Sequence, residues 1–189
     1  MCKSYLKHAY QEALTLKNYT YIYLICMDLM HFYTSTGENH SFLVIIQDTL
    51  SIAQTQGHSQ VHLWLQLMRA SVSLEESLDL TSSDSPLLNA YANMLRMTQH
   101  MIQGRPKECL VVLFDFQKQI QTLLTERDSK VEREWVIYPG VALDGHVLDQ
   151  MHVNVFIYSG VIYKLTNLTK AKDFFIQGLR MVQSIFMYD

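Results

Sequence analysis

Four features of this sequence have residue types and spacings that could support chemistry. His58 and His62 are one helical turn apart, so a helix would place both imidazoles on one face, as in a metal site. No glutamate stands between them in zinc-protease order and no third ligand is evident, which favours a surface pair without a metal. The adjacent Glu75 and Glu76 point to different sides of a helix and make a poor acid–base pair.

Cys109 and the stretch from Gly104 to Lys107 are the remaining candidates for a reactive site. Cys109 lies in an apolar helical stretch, which favours a buried thiol over a nucleophile. The stretch Gly-Arg-Pro-Lys predicts a turn, because it lacks the glycine spacing of a phosphate-binding loop. We therefore expect a protein that is not an enzyme and that holds no metal ion and no cofactor.

The composition narrows the class of protein further. Of the 189 residues 49% are apolar and 17% charged, with seven glycines and three prolines, which favours long helices around a large core or a partner-covered groove. The net charge of −3 argues against direct nucleic-acid binding. The sequence has no uninterrupted run of about 18 apolar residues, so we predict no membrane span. Three distant cysteines and no apolar leader predict reduced thiols in a nuclear or cytosolic protein.

Hydrophobic periodicity and helix-ending residues divide the chain into helical pairs. Gly37 and Gly57 are expected to end helices, because glycine accepts the left-handed conformation beyond a helix terminus. Ser85 and Pro86 are expected to begin one, since proline is tolerated at the first helical position. Asn39 or Ser41 is expected to cap the third helix, which ends at residue 56. The other predicted helices cover residues 4–17, 19–36, 59 to about 80, 87–103 and 107–124. The apolar spacing of the last one is carried by Leu110, Leu113, Phe114, Gln117, Ile120 and Leu124.

Residues 125–147 form the least regular part of the sequence. This segment opens with charged residues and becomes apolar from Trp135 to Tyr138, and Pro139, Gly140 and Gly145 interrupt any helix. We expect an irregular insert here, because a loop of this length inside a compact domain is unusual and often functional. The apolar run is expected either to lie across helices as a lid on the core or to bind a partner.

The stretch from Met151 to Met187 has the residue pattern of a tetratricopeptide (TPR) helix pair. Ser159, Ala171 and Gly178 are small residues that let two antiparallel helices touch, and larger side chains fill the space between them. The positions that carry the pattern are Val155, Tyr158, Ser159 and Ile162 on one helix and Ala171, Phe175 and Gly178 on the next. A repeat of this kind has no reacting centre and holds a partner. The predicted fold is all-α, a TPR-like α-solenoid of about four antiparallel hairpins in a single domain over residues 1–189.

In a TPR solenoid the first helix of each pair lines the concave groove, which identifies candidate partner-binding residues. The predicted groove comprises Leu24, Met27, His31, Tyr91, Met94, Met101, Val153, Phe156 and Tyr163. Methionine suits an irregular contact surface, and tyrosine combines a large area with a polar tip. The same side chains would equally fit packing against neighbouring helices, so both interpretations remain open at this stage.

Three stretches of the chain also resemble a known family. Residues 98–107, followed by Leu113, Gln117 and residues 120–122, look like one helical hairpin of that family. Residues 135–143 look like the apolar insert before its next repeat, and residues 155–181 resemble that repeat. The family is that of the TPR subunit of the cohesin-loading complex, the small partner of the large HEAT-repeat loader.

This resemblance implies a nuclear, non-catalytic superhelix that wraps an extended amino-terminal segment of the large loader and acts in sister chromatid cohesion. Members of the family are considerably longer, which implies that this chain is a fragment. Three alternatives remain open on the sequence alone: a TPR adaptor subunit of another multiprotein assembly, a peptide-sensing TPR regulator, and an enzyme with a hidden site, which a cluster of perturbed titratable groups in a cleft would support.

Overall fold

The computed structural model describes residues 2–73, 84–129 and 135–186, which form eight helices and one two-stranded sheet. The prediction of a mostly helical protein is confirmed, and the short sheet is an addition that the sequence analysis did not anticipate. The helices are α1 (Cys2–Thr15), α2 (Tyr19–Thr36), α3 (Asn39–Gln56), α4 (Ser59–Val72), α5 (Pro86–Ile102), α6 (Pro106–Ser129), α7 (His146–Lys164) and α8 (Leu168–Phe186), and the strands are β1 (Trp135–Tyr138) and β2 (Val141–Leu143).

The chain divides into two compact units. The first comprises the described residues up to Ser73 together with Val136–Leu143, so it contains α1 to α4 and the β-hairpin. The second comprises the described residues of Leu74–Trp135 and Asp144–Asp189, and it contains α5 to α8. The single domain over residues 1–189 remains a prediction.

Most helix ends carry the local signals expected of them. Gly37 and Gly57 follow α2 and α3 with φ of 71° each, in the left-handed region. Ser85 accepts a hydrogen bond from the Leu88 amide, and Pro86 occupies the first turn of α5. The start of α3 differs from the prediction. Glu38 stands at the cap position, Asn39 is already helical, and Ser41 donates its hydroxyl to the Glu38 carboxylate at 3.2 Å instead of capping the helix.

The first unit is built from consecutive antiparallel helices that share a buried polar contact. The Tyr10 hydroxyl of α1 and Oγ1 of Thr49 on α3 are 2.7 Å apart, and Thr49 lies 3.3 Å from the Cys26 sulfur on α2. All three side chains are buried. Because α1 and α3 both run antiparallel to α2, they are parallel to each other and meet across it. A buried hydroxyl bonded in this way fixes the register of three helices at once.

The β-hairpin of the first unit replaces much of the irregular insert predicted over residues 125–147. Helix α6 continues to Ser129, the hairpin spans residues 135–143, and α7 begins at His146. The hairpin lies against α2, where the Thr20 hydroxyl donates to the Pro139 carbonyl at 3.2 Å. Gly140 forms the turn with φ of 77°, a left-handed conformation that favours glycine, and a Cβ there would crowd Thr20 Cγ2 at 3.0 Å.

In the second unit each helix packs on the next, and α5 also contacts α7. The Asn154 side chain donates to Met94 at 3.1 Å, and the hydroxyls of Thr98 and Tyr158 are hydrogen-bonded. In both contacts the two residues are 60 positions apart in the sequence, so α5 and α7 run in the same direction. Helix α6 is antiparallel to both, and this arrangement places α5 and α7 side by side.

The buried face of α6 differs from the one expected. The predicted set included Phe114, which is 62% exposed, while Phe116 is fully buried. Leu110, Gln117 and Leu124 are only half-buried, whereas Leu113 and Ile120 are buried as expected. The side chains that form the core face recur every three or four residues: Cys109, Leu113, Phe116, Ile120 and Leu123. Apolar residues lie on both sides of α6, so only its contacts with α5 and α7 select the buried side. Helix α4 ends at Val72 with Ser73 as its C-terminal cap, earlier than the end predicted near residue 80, and residues 74–83 lie outside the described part of the chain.

Candidate functional site

Of the two histidines considered as metal ligands, His58 has a structural role. His58 precedes α4, and its Nδ1 is 2.6 Å from the Tyr23 hydroxyl, while its ring centroid is 4.6 Å from that of Tyr138 in the hairpin. Burial raises the pKa of Tyr23, so its hydroxyl stays protonated in this hydrogen bond with His58. His62 takes no part in this cluster. Within residues 2–73, 84–129 and 135–186 no group of three or more His, Cys, Asp or Glu side chains could hold a metal ion.

The two described thiols, Cys26 and Cys109, are buried in helix cores, as the sequence predicts for Cys109. Burial raises the pKa of Cys26 to about 12, although a hydrogen bond with Thr49 partly opposes the shift. Burial also raises the pKa of Cys109. Since the thiolate is the nucleophilic form, neither group is poised for covalent catalysis near neutral pH. Glu75 and Glu76 lie outside the described residues.

Alkaline pH is expected to destabilise the protein through this buried cluster. Burial raises the folded-state pKa values of Cys26 and Tyr10 to about 12, from ordinary values of 9.0 and 10.0. The stability that their neutral forms contribute is therefore complete below about pH 9 and is lost as the pH rises towards 12. Urea unfolding at a series of pH values would measure this dependence, and Cys26→Ala should make it shallower. A free energy of unfolding that stays constant up to about pH 11 would contradict it.

The three groove residues predicted in the first unit lie on one side of α2. Leu24 and Met27 are half-buried and His31 is exposed. Their spacing of three and four residues places them in a row along the helix. They therefore form a partly accessible strip, apolar at one end and polar at the other.

The groove residues predicted on α5 lie next to α7. Tyr91, Met94 and Met101 are all half-buried. Met94 accepts the hydrogen bond from Asn154, and burial raises the pKa of Tyr91 to about 12, which keeps its hydroxyl neutral. These three side chains therefore keep part of their surface accessible on α5, the helix that runs parallel to α7.

The groove residues predicted on α7 contact α8 as well as solvent. The Phe156 Cβ lies only 3.2 Å from the position of a Cβ on Gly178. The Tyr163 ring stacks on Phe174 with centroids 5.5 Å apart. Both side chains are half-buried, so they combine helix packing with an accessible surface. Glutamate at either position would therefore disturb the α7–α8 contact as well as any bound partner.

Val153 lines a cleft of about 420 Å³ between the start of α7 and the end of α8. Val182 and Ile185 contribute further apolar wall, while Asp149 on the rim pairs with Arg127 at 2.5 Å. The neighbouring His152 ring lies 5.2 Å from that of Phe156, and burial lowers its pKa, so it is neutral at pH 7. The cleft has the size and character to accept one apolar side chain of a partner.

Two glycines and two small residues allow α7 and α8 to approach closely. Ser159, Ala171 and Gly178 are buried, as the sequence pattern predicts. The prediction missed Gly160, where an added Cβ would lie 2.6 Å from the ring of Phe175. The sequence indicates the role of Gly160 only through its position beside Ser159. The ring that covers it belongs to Phe175 on α8 and could not be assigned from the sequence.

Ala171→Leu is expected to lower the free energy of unfolding by about 1–3 kcal/mol, because Ala171 is 1% exposed and the added atoms would overpack the α7–α8 contact. Thr169→Leu is a matched control at an exposed position of α8 and should change it by less than about 0.5 kcal/mol. Urea unfolding measures both. Equal values for the two variants would show that the helices do not meet at Ala171.

No family model, curated protein or solved structure matches this chain. None of the described helices is long and apolar enough to cross a bilayer. The accessible surfaces on α2, α5 and α7, together with the cleft beside Val153, are therefore the features from which a function is inferred.

Proposed function

We propose that this protein is a non-catalytic scaffold that holds an extended segment of a partner protein along the groove between α5 and α7. The observation that carries the proposal is the row of half-buried side chains on α5, Tyr91, Met94 and Met101, beside a parallel helix. Side chains of this kind keep accessible apolar area while their helix packing holds them in place. Such rigid, partly exposed residues are what a protein interface needs at its centre.

The polar atoms along this groove suit an extended chain. Asn154, Thr98 and Tyr158 lie on the two facing helices and already make one set of hydrogen bonds. Thr98 donates its hydroxyl to the Met94 carbonyl at 3.0 Å, so Tyr158 donates to Thr98, and both hydroxyls can offer a bound backbone acceptor positions only. The Asn154 amide oxygen is a further acceptor for a bound segment, which must replace its lost bonds to water. Methionine adapts to an irregular partner surface, since its side chain is unbranched and flexible. An extended segment would thus find apolar contact and hydrogen bonds along the same line.

The pattern of helix contacts in the second unit supports a TPR-like solenoid. Helix α5 contacts α6 and α7, and α7 contacts α6 and α8, as stacked helical pairs in a solenoid do. We extend this arrangement to about four hairpins over the whole chain. Together with the resemblance of residues 98–107, 135–143 and 155–181, it leads us to propose the TPR subunit of the cohesin-loading complex as the related protein, with a nuclear role in sister chromatid cohesion.

On this proposal the occupant of the groove is the amino-terminal segment of the large cohesin loader. Isothermal titration calorimetry of the chain with that segment, produced as a recombinant peptide, tests it. We expect one saturable site with a Kd of about 1 µM or tighter, equivalent to roughly −8 kcal/mol. A peptide of identical composition and scrambled order is the control. No binding of the native segment at about 100 µM, or equal binding of both peptides, would contradict the proposal.

A further inference from the structure

The outer side of the α7–α8 hairpin carries exposed apolar side chains that the groove does not use. Leu168, Phe175 and Leu179 on α8 are 72%, 40% and 59% exposed, and Ile157 on α7 is 41% exposed. The spacing of seven and four residues places the three α8 side chains within a narrow arc of the helix. The Phe175 ring lies over Gly160, three residues beyond Ile157, so the two helices present one surface. We name these four residues the α8 stripe.

Two lysines border the α8 stripe. Residues 157–186 contain Lys164, Lys170, Lys172 and Arg180 but a single carboxylate, Asp173, which gives a net charge of +3 in a chain whose net charge is −3. Lys172 lies four residues after Leu168 and three before Phe175, on the border of the stripe. Lys164 is also exposed and lies seven residues after Ile157, on the same side of α7. An occupant that buries the apolar residues must therefore place its own borders near lysine.

We infer that the α8 stripe docks an amphipathic helix of another protein whose apolar face is bordered by glutamate or aspartate. A helix matches the shape, because apolar residues at positions i, i+3 or i+4, and i+7 pack along such a stripe. Acidic borders match the charge, because opposite charges at the rim of an interface favour encounter and suppress the wrong partner. A second copy of this chain fits less well, since two equally basic surfaces would face each other across a symmetric contact. This surface is separate from the α5–α7 groove, so the inference does not depend on the proposed function.

The test uses the full chain and three synthetic fluorescent peptides of about 18 residues, long enough for four to five helical turns. The first has leucines at helical spacing with glutamate borders, and the second has lysine in place of glutamate. The third contains the residues of the first in an order that removes the apolar stripe. Fluorescence anisotropy at low and high salt measures their affinities. We expect saturable binding of the acidic helix, weakened by salt, and at least about tenfold weaker binding of the other two peptides.

Two variants locate the site. Leu179→Gln should weaken binding of the acidic helix by about tenfold, and Lys172→Glu should remove the preference for the acidic over the basic peptide. Val111→Gln is a matched control, because Val111 is 66% exposed on α6, and it should have no effect. Circular dichroism should show that all three variants fold. Failure of the acidic helix to bind, equal binding of the three peptides, or a chain dimer that Leu179→Gln dissociates would overturn the inference.

Discussion

Phe116→Ala is expected to lower the free energy of unfolding by about 3–5 kcal/mol. Phe116 is fully buried, so alanine would remove most of its apolar contact and leave a cavity in the second unit. Urea unfolding followed by circular dichroism measures the loss. Phe114→Ala provides the matched control, because Phe114 is the same residue type on the same helix and is 62% exposed.

The Phe114 variant should lose less than about 1 kcal/mol, because its side chain gives up little contact with the protein. This pair of variants tests which side of α6 faces the core. The reverse order, with Phe114→Ala more damaging than Phe116→Ala, would show that α6 is rotated and that the α5–α7 groove is not built as described.

Met101→Glu is expected to weaken binding of the extended segment by about a hundredfold, or roughly 2.7 kcal/mol. The half-buried Met101 side chain would be replaced by a carboxylate that loses its water when the partner covers the groove. Met94→Glu in addition should reduce binding below detection. Titration calorimetry with the amino-terminal loader segment measures both variants.

Val111→Glu is the control for charge, because it adds the same carboxylate at an exposed position of α6 away from the groove. It should bind as tightly as the unmodified chain. The unfolding free energy of Met101→Glu should stay within about 1 kcal/mol of the unmodified chain, so that lost binding is not lost folding. Equal affinities of Met101→Glu and Val111→Glu would show that the segment binds elsewhere.

Helix positions follow largely from local signals in the sequence. Gly37, Gly57 and the Ser85–Pro86 pair mark helix boundaries where the structure has them, because capping and left-handed conformations depend on neighbouring residues only. The hairpin was missed although Trp135–Tyr138 alternates inward and outward side chains and Pro139–Gly140 suits a tight turn. Its strands are short, and their stability comes from contacts with α2, which the sequence does not display.

The sequence indicates the helices on which the predicted groove residues lie, but not how deeply these side chains are buried. Helical spacing identified Met94, Met101 and Val153 as side chains on the first helices of their pairs. It could not reveal that Tyr163 stacks on Phe174 or that Phe156 lies against Gly178, because those contacts depend on where α8 packs. The sequence could not reveal which side of α6 is buried for the same reason. Phe114 and Phe116 are equally apolar, and only tertiary contacts distinguish them.

The most direct test of the central claim is site-specific photo-crosslinking. A benzophenone amino acid is placed in turn at Tyr91, Met101 and Val111, and the chain is irradiated with the extended segment bound. Mass spectrometry should find crosslinks from positions 91 and 101 and none from position 111, and the two crosslinked sites on the segment should be well separated along it. Crosslinks from position 111 alone, or none from 91 and 101 while the segment is bound, would contradict the account.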